Sequence, residues 1–448
     1  MATAAATSRD DAPPRSIGRP PSAVGSAWPV PVIIGVLSAV ALWLRVPASA
    51  RGVLWAEDAT EFIGKALSLG AGHSLFLPYA GYLQFVPRVA VGLVTWLLPA
   101  SAWAYGVTAA AALATGGVCA VIYLASTDIV TWWPARVVLA LTPALIGMGA
   151  WEVAGTLNNL HSVLLCAVPW LLLARPRSRA GAIVLAVIVC AIVLSEPQAG
   201  YFLPLLLWKL RDRGRWLIRG AYLLALVAQA VAFAVSPRAI PAHTALSLKS
   251  TAVGFFANAV LGTVISSPDR IGAAMAHHAP FVFALALPIV AAAVICLVLG
   301  RWRERLATIA VASAAVVLWA VGYTWNLAVS VYPYSTYSPS QWAHDDTILR
   351  YAFAPAVFLM ALVCLTASVL ARRGRLRSVS WALAVAALAG LIAGSAVTPH
   401  SQRAAGPDWR SEVAAARATC ASEPGSATVI LDAAPPTWNA TVPCARLP

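Results

Sequence analysis

Charged side chains are scarce in this chain. Only 11% of its 448 residues are charged, and acids are the scarcer kind, with 17 Asp and Glu against 31 Lys and Arg. A soluble globular protein carries about 25% charged residues, whereas 60% of this chain is apolar. The shortage of charge argues against a soluble domain and predicts an all-α polytopic membrane protein, because helices satisfy their backbone hydrogen bonds within lipid.

The formal net charge of +14 would also suit a nucleic-acid-binding protein. The basic residues, however, form short clusters between apolar stretches, which is typical of cytoplasmic loops. We therefore expect no nucleic-acid partner and use the clusters to orient the chain. They lie at residues 9–19, 175–179, 209–219, 301–305 and 372–377.

Eleven apolar stretches approach the roughly 20 residues that a spanning helix needs. They lie near 29–47, 102–125, 135–151, 159–174, 180–195, 198–210, 217–235, 281–300, 306–325, 351–370 and 380–397. Cytoplasmic basic clusters must be separated by even numbers of crossings. A crossing at 85–98 would break that parity, so we expect this stretch to lie at the outer interface.

This topology places the N-terminus in the cytoplasm and the C-terminus outside, in the inner (plasma) membrane of a bacterium. It predicts a disordered cytoplasmic tail at 1–28 without a cleaved signal peptide, a transmembrane domain at 29–397 and a short extracytoplasmic tail at 398–448. Polar and acidic residues concentrate in the predicted outer loops, so we expect the function to reside on the outer face.

Cysteine is also sparse, with seven residues, and five of them fall inside apolar stretches where they are expected to pack as small apolar side chains. Cys420 and Cys444 lie in the polar tail. If that tail is outside, they can form a disulfide; the alternative is two free thiols. The stretch 427–431 predicts one strand.

Glu57 and Asp58 follow the first apolar stretch directly, and the octapeptide 55–62 holds three of the 17 acids. A carboxylate beside an apolar wall can have a raised pKa and act as a general base. The alternative is a hydrated loop or the acidic first turn of a helix.

Four further polar groups lie at predicted outer ends of helices. Each also has a structural interpretation, as an aromatic belt, a snorkelling arginine, polar contact between helices or a turn. No spacing resembles a metal motif, so we predict no cofactor, although a divalent metal stays possible. The candidate binding residues are Tyr79, Tyr82, Arg88, Asn158, Asn159, His161, Glu196, Arg350 and Tyr351.

The strings Glu57-Asp58, 78–82 with Pro87-Arg88, 158–161 and Arg350-Tyr351 resemble a less characterised bacterial branch of the GT-C class of membrane glycosyltransferases. The resemblance implies a GT-C-like fold and transfer of a sugar from a polyprenyl phosphate to an acceptor of the cell envelope. It implies Asp58 as base, Glu57 as its partner or alternate, and Arg88 and Arg350 as phosphate contacts. Asn158, Asn159 and His161 would then contact sugar or acceptor.

Two other functions fit the composition. A transporter or lipid flippase predicts charged residues near the middle of the membrane, where acids are nearly absent from the predicted spans. A non-catalytic scaffold of envelope assembly predicts no cavity behind Glu57 and Asp58. For the enzyme, we expect Asp58, Arg88, Asn158 and Arg350 to line one outer cavity.

Overall fold

A computed structural model describes residues 29–150, 152–238, 247–265, 267–326, 332–344, 350–396, 402–423 and 427–447. The predicted tail at 1–28 lies outside these ranges. In the described residues almost all regular structure is helical, with one pair of short strands near the C-terminus. The architecture is that of an all-α membrane protein, as the composition predicts.

Five helices in the described part of the chain are long and apolar enough to cross a membrane. Arg350–Ala371 is the central one, because 94% of its most apolar window is buried, whereas Gly374–Ala396 is peripheral at 22%. All five coincide with predicted crossings. Their bounds are Ala100–Ala125, Arg213–Val235, Trp302–Trp325, Arg350–Ala371 and Gly374–Ala396.

Shorter apolar helices occupy most of the other predicted crossings. These are Pro29–Arg45, Trp133–Leu145, Leu160–Leu173, Arg179–Val193 and Phe283–Leu299, and two further short apolar helices, Phe85–Leu97 and Leu248–Val264, lie outside the predicted crossings. Phe85–Leu97 is the helix expected at the interface. The predicted crossing at 198–210 is a 3₁₀-helix, Pro197–Leu207, with Pro204 inside it. Proline removes a backbone donor and disrupts the α-helical bond pattern.

The region 236–280, predicted as an outer loop, contains two helical segments, 248–264 and Pro268–Val282. The first contains a π-helical stretch, Phe256–Leu261, whose side chains are all buried. Residues 239–246 and 266 lie outside the described ranges. The polar residues of this region led the sequence analysis to a loop, but buried apolar side chains on one face stabilise a helix there.

Helix Pro29–Arg45 packs closely on helix Ala100–Ala125. A Cβ added at Gly116 would lie 2.3 Å from the carbonyl oxygen of Gly35. Small residues let two membrane helices approach until their backbones touch. This contact anchors the helix that leads into Glu57.

The C-terminal segment folds against the outer loop that follows the first helix. Helix Trp409–Ser422 precedes two antiparallel strands, Thr428–Asp432 and Asn439–Pro443. The predicted strand is confirmed, and the sequence analysis missed its partner. Cys420 and Cys444 form a disulfide with a Cα–Cα distance of 5.7 Å, so the disulfide alternative is confirmed.

Candidate functional site

The backbone around the acidic pair has an unusual conformation. Ala56 has a φ of 38°, in the left-handed region that side chains other than glycine disfavour. A π-helix, Asp58–Gly64, begins two residues later. Such irregular turns re-aim side chains and recur at functional sites. Here they direct two consecutive carboxylates into different environments.

Asp58 is completely buried. Its carboxylate accepts hydrogen bonds from the backbone N–H groups of Leu157 at 3.2 Å and Asn158 at 2.8 Å. Burial raises the pKa of Asp58 to about 7, although the charge of Arg403 and the two backbone donors oppose the rise. The side chain holds the 155–159 loop in place.

Glu57 points into an open cavity instead. Its carboxylate accepts a hydrogen bond from the hydroxyl of Tyr79 at 3.3 Å and one from Asn158 Nδ2 at 2.9 Å. Burial, and then the negative charge of Glu57, raises the pKa of Tyr79, so that its hydroxyl stays protonated and can donate. Glu57 is therefore oriented by two donors.

A tight turn presents the two candidate tyrosines. Tyr79 and Tyr82 exchange backbone hydrogen bonds of 2.9 and 3.2 Å. The two central residues, Ala80 and Gly81, have φ values of 52° and 86°, which is the type I′ turn. Gly81 suits this position because it lacks a Cβ. Both tyrosines line the cavity.

Asn158 and Asn159 occupy the start of helix Leu160–Leu165. Asn159 donates from Nδ2 to the carbonyl of Glu152 at 3.0 Å and to Thr156 Oγ1 at 3.2 Å. Its Oδ1 is buried without a hydrogen-bond partner in the described structure. Asn159 lines the cavity, and its two donated hydrogen bonds hold its side chain against the 152–156 segment.

His161 and Glu196 form a pair across the cavity wall. His161 Nδ1 is in hydrogen-bond contact with the carboxylate of Glu196, which also accepts from the backbone N–H of Gln198 at 2.8 Å. A carboxylate on Nδ1 fixes the ring orientation and leaves Nε2 available for a ligand. The carboxylate itself is buried.

The two candidate arginines differ in position. Arg350 lines the cavity, 3.5 Å from Glu152, and lies over the ring of Tyr351. Arg88 is buried at 1% exposure; Nη1 donates to the carbonyl of Glu61, and the guanidinium lies over Phe62. The expectation that Arg88 lines the cavity is wrong, because it packs beneath the π-helix.

The cavity has a volume of about 550 Å³. Of the four residues expected in one cavity, Asn158 and Arg350 line it and Asp58 and Arg88 do not. Nine of the eleven candidate residues contribute to its wall: Glu57, Tyr79, Tyr82, Asn158, Asn159, His161, Glu196, Arg350 and Tyr351.

Several residues that line the cavity were not predicted from the sequence. Gln229, within an apolar helix, lines the cavity and also bonds Leu83 and Val193 through its amide. A polar residue inside a membrane helix is itself a signal for an interior position. The other polar or aromatic residues missed are Gln198, Arg238, Trp325 and Asn326.

Among the described residues, no group of three His, Cys, Asp or Glu side chains is placed to hold a metal ion. The polar groups that line the cavity are hydroxyl and amide groups, the carboxylates of Glu57 and Glu196, and the guanidinium groups of Arg238 and Arg350. This set can bind hydroxyl groups and an anion and can accept a proton.

No family model matches the chain, and no curated protein or solved structure matches it. The function is therefore argued from the cavity.

Proposed function

We propose that the protein is a membrane glycosyltransferase that moves a sugar from a polyprenyl phosphate to an acceptor of the cell envelope. The observation that carries the proposal is the oriented carboxylate of Glu57 in a cavity that also holds Arg350 and a row of hydroxyl and amide groups. The resemblance to GT-C enzymes suggested the reaction, and the cavity supplies groups for it.

The chemistry assigns the base to Glu57. Its carboxylate takes the proton of the acceptor hydroxyl, whose oxygen then forms a bond to the anomeric carbon. The bond from that carbon to the phosphate oxygen breaks, and the lipid phosphate leaves with the electron pair. Arg350 stabilises the phosphate charge. Asp58, sealed from the cavity, supports the loop that carries Asn158.

An apolar wall of the cavity suits the lipid part of such a donor. Leu226, Ala230 and Phe233 contribute it from helix Arg213–Val235. Phe233 is 46% exposed, and only 33% of that helix's most apolar window is buried. The wall therefore continues from the polar groups to a surface that faces lipid when the helix spans the membrane.

The proposed topology keeps eleven crossings, with the N-terminus inside and the C-terminus outside. Five long and several short apolar helices in the described ranges support a membrane-embedded chain. With this orientation the cavity opens on the outer face of the plasma membrane. A disulfide in the C-terminal segment supports an oxidising location for that segment.

The test replaces Glu57 with Gln in the full-length protein. Glu57→Gln keeps the shape but removes the proton acceptor, so we expect transfer to fall by about 10²-fold or more. Envelope glycans of the variant, compared with the wild type and a deletion strain, measure the transfer.

Glu61→Gln is the matched control, because it makes the same change four residues further along, within the π-helix Asp58–Gly64, at a side chain outside the cavity lining. Its glycans should match the wild type. If Glu57→Gln also gives wild-type glycans while the deletion strain differs, Glu57 is not the base.

The alternatives predict different outcomes. A non-catalytic scaffold does not need the cavity, so its presence behind Glu57 counts against that function. A lipid flippase would also use a cavity beside a lipid-facing helix. It moves its substrate without breaking the bond at the anomeric carbon, so purified protein with a lipid-linked sugar and an acceptor would give no transfer product.

A further inference from the structure

Arg403 lies far from the candidate residues in sequence and is buried, with 4% of its surface exposed. All three of its guanidinium nitrogens donate hydrogen bonds. Nε donates to the carbonyl of Val53 at 2.8 Å, Nη1 to the carbonyl of Gly155 at 2.8 Å and Nη2 to Thr108 Oγ1 at 2.7 Å. A planar guanidinium with every nitrogen engaged fixes its partners relative to one another.

The two carbonyls belong to the segments that carry the cavity groups. Val53 lies four residues before Glu57, and Gly155 lies three residues before Asn158. These segments also meet through Asp58, which accepts the backbone N–H of Asn158 and whose buried carboxyl group is influenced by the charge of Arg403. Arg403 thus bridges two walls of the cavity from outside it.

The rest of the C-terminal segment docks at the same place. Ala56 donates its backbone N–H to the carbonyl of Ala434 at 2.5 Å, and Ala434 donates to the carbonyl of Leu54 at 3.0 Å. Thr60 Oγ1 donates to the carbonyl of Asn439. These bonds surround Ala56 and hold it in its left-handed conformation, which persists only under such constraint.

Gly155 shows how closely Arg403 fits. Its φ is +77°, and an added Cβ would lie 3.2 Å from Arg403 Nη1 and 2.8 Å from Val46 Cγ2. A glycine is required there both by conformation and by the approach of the guanidinium.

We propose that Arg403 is a positioning residue that holds Glu57 and Asn158 in register across the cavity, and that the described segments 402–423 and 427–447 are an integral part of the site. The effect on sugar transfer rests on the proposed function. The positioning does not, and it can be measured without an activity assay.

The experiment uses cross-linking in the full-length protein. Glu57→Cys and Asn158→Cys together put thiols on two facing side chains, whose native atoms Glu57 Oε2 and Asn158 Nδ2 are 2.9 Å apart. A short thiol-specific bifunctional reagent should join the two thiols efficiently. Arg403→Met removes all three donors. We expect the cross-linking yield to fall by at least about tenfold, since the loss of even one charge-assisted bond shifts such an equilibrium by that order.

Arg417→Met is the matched control, because it removes the same charge from an exposed position on helix Trp409–Ser422. Its cross-linking should equal that of the parent. Thr108→Val removes one of the three acceptors of Arg403, together with the bonds that the hydroxyl donates to the carbonyls of Arg51 and Ala104. It should give a smaller loss of yield than Arg403→Met, and it replaces that variant in the test if Arg403→Met does not accumulate. Arg403→Lys restores charge without the three-way contact and should not restore the yield.

The outcomes separate the two proposals. An unchanged yield in folded Arg403→Met, or in Thr108→Val when Arg403→Met fails to fold, overturns the positioning role. A reduced yield in Arg403→Met, with altered glycans when this substitution is made alone, supports both. A reduced yield with wild-type glycans keeps the positioning role and contradicts the catalytic use of Glu57 and Asn158.

Discussion

Two adjacent acids, Glu57 and Asp58, have opposite environments beside the cavity. Glu57 faces the cavity and accepts bonds from Tyr79 and Asn158, whereas Asp58 is enclosed and accepts backbone donors. The resemblance favoured Asp58 as the base. The left-handed Ala56 and the following π-helix turn Glu57, and not Asp58, toward the cavity, and a sequence pattern does not reveal either feature.

Asp58 should make stability depend on pH. Its carboxyl has an ordinary pKa of 3.8 when unfolded and about 7 in the fold, mainly because of burial. The folded state therefore binds the Asp58 proton more tightly than the unfolded state does. The stabilisation of the fold by protonated Asp58 is fully present below pH 3.8 and is lost as the pH rises through 7. We expect the unfolding temperature in detergent to be higher at pH 5 than at pH 8.

Asp58→Asn should remove most of this difference, because the amide does not ionise. The control is Glu61→Gln, which keeps Asp58 and should keep the difference between the two pH values. A variant Asp58→Asn that retains the full pH dependence would assign it to other groups.

The helices were largely predictable from the sequence, whereas the site was only partly so. Apolar length located the five long helices, and the position of Gln229 within one of them was a usable signal. The 3₁₀ segment Pro197–Leu207 and the contacts of Arg88 and Arg403 depend on tertiary packing. Local propensity carries no information about such contacts between segments far apart in sequence.

Because helices Pro29–Arg45 and Ala100–Ala125 pack closely, we expect substitutions at the neighbouring glycines Gly116 and Gly117 to differ in their effect on stability. Gly116→Leu would force its side chain against Gly35 and Ala39, where an added Cβ already meets atoms at 2.3 and 3.0 Å. Overpacking of this kind costs about 1–3 kcal/mol or more. We expect a lower unfolding temperature and reduced accumulation in membranes.

Gly117→Leu provides the comparison, since a Cβ at Gly117 meets no atom within 4 Å. The same residue change one position along the helix should leave the unfolding temperature close to that of the wild type. Equal losses for both variants would mean that helix propensity, rather than the contact with Gly35, governs the effect.

At the scale of the whole molecule, the proposed orientation makes the outer loop and the C-terminal segment face the same side of the membrane. These two parts of the chain contact each other directly and must therefore lie on the same side. Trp409 donates its backbone N–H to the carbonyl of Gly52 and its indole N–H to the carbonyl of Ala100, at 2.9 Å each. The parity of the basic clusters predicts that this side is the outer one.

Cysteine labelling in intact cells tests the orientation. Ser68→Cys and Arg417→Cys, both at exposed positions, should react with a reagent that cannot cross the membrane. Thr131→Cys, exposed on the predicted inner side, should react only after permeabilisation. The wild type gives the background of its own thiols. The reverse pattern of labelling would contradict the proposed topology.

The bond from Arg403 to Val53 joins residues 350 positions apart, and this separation has a consequence for biosynthesis. Arg403, which holds the segment of Glu57, is synthesised 350 residues after Val53. On the proposed topology, the last apolar helix must insert and the following segment must be exported before Arg403 can reach the first outer loop. On the proposed function and topology, we expect activity to begin only after Arg403 has been synthesised and exported.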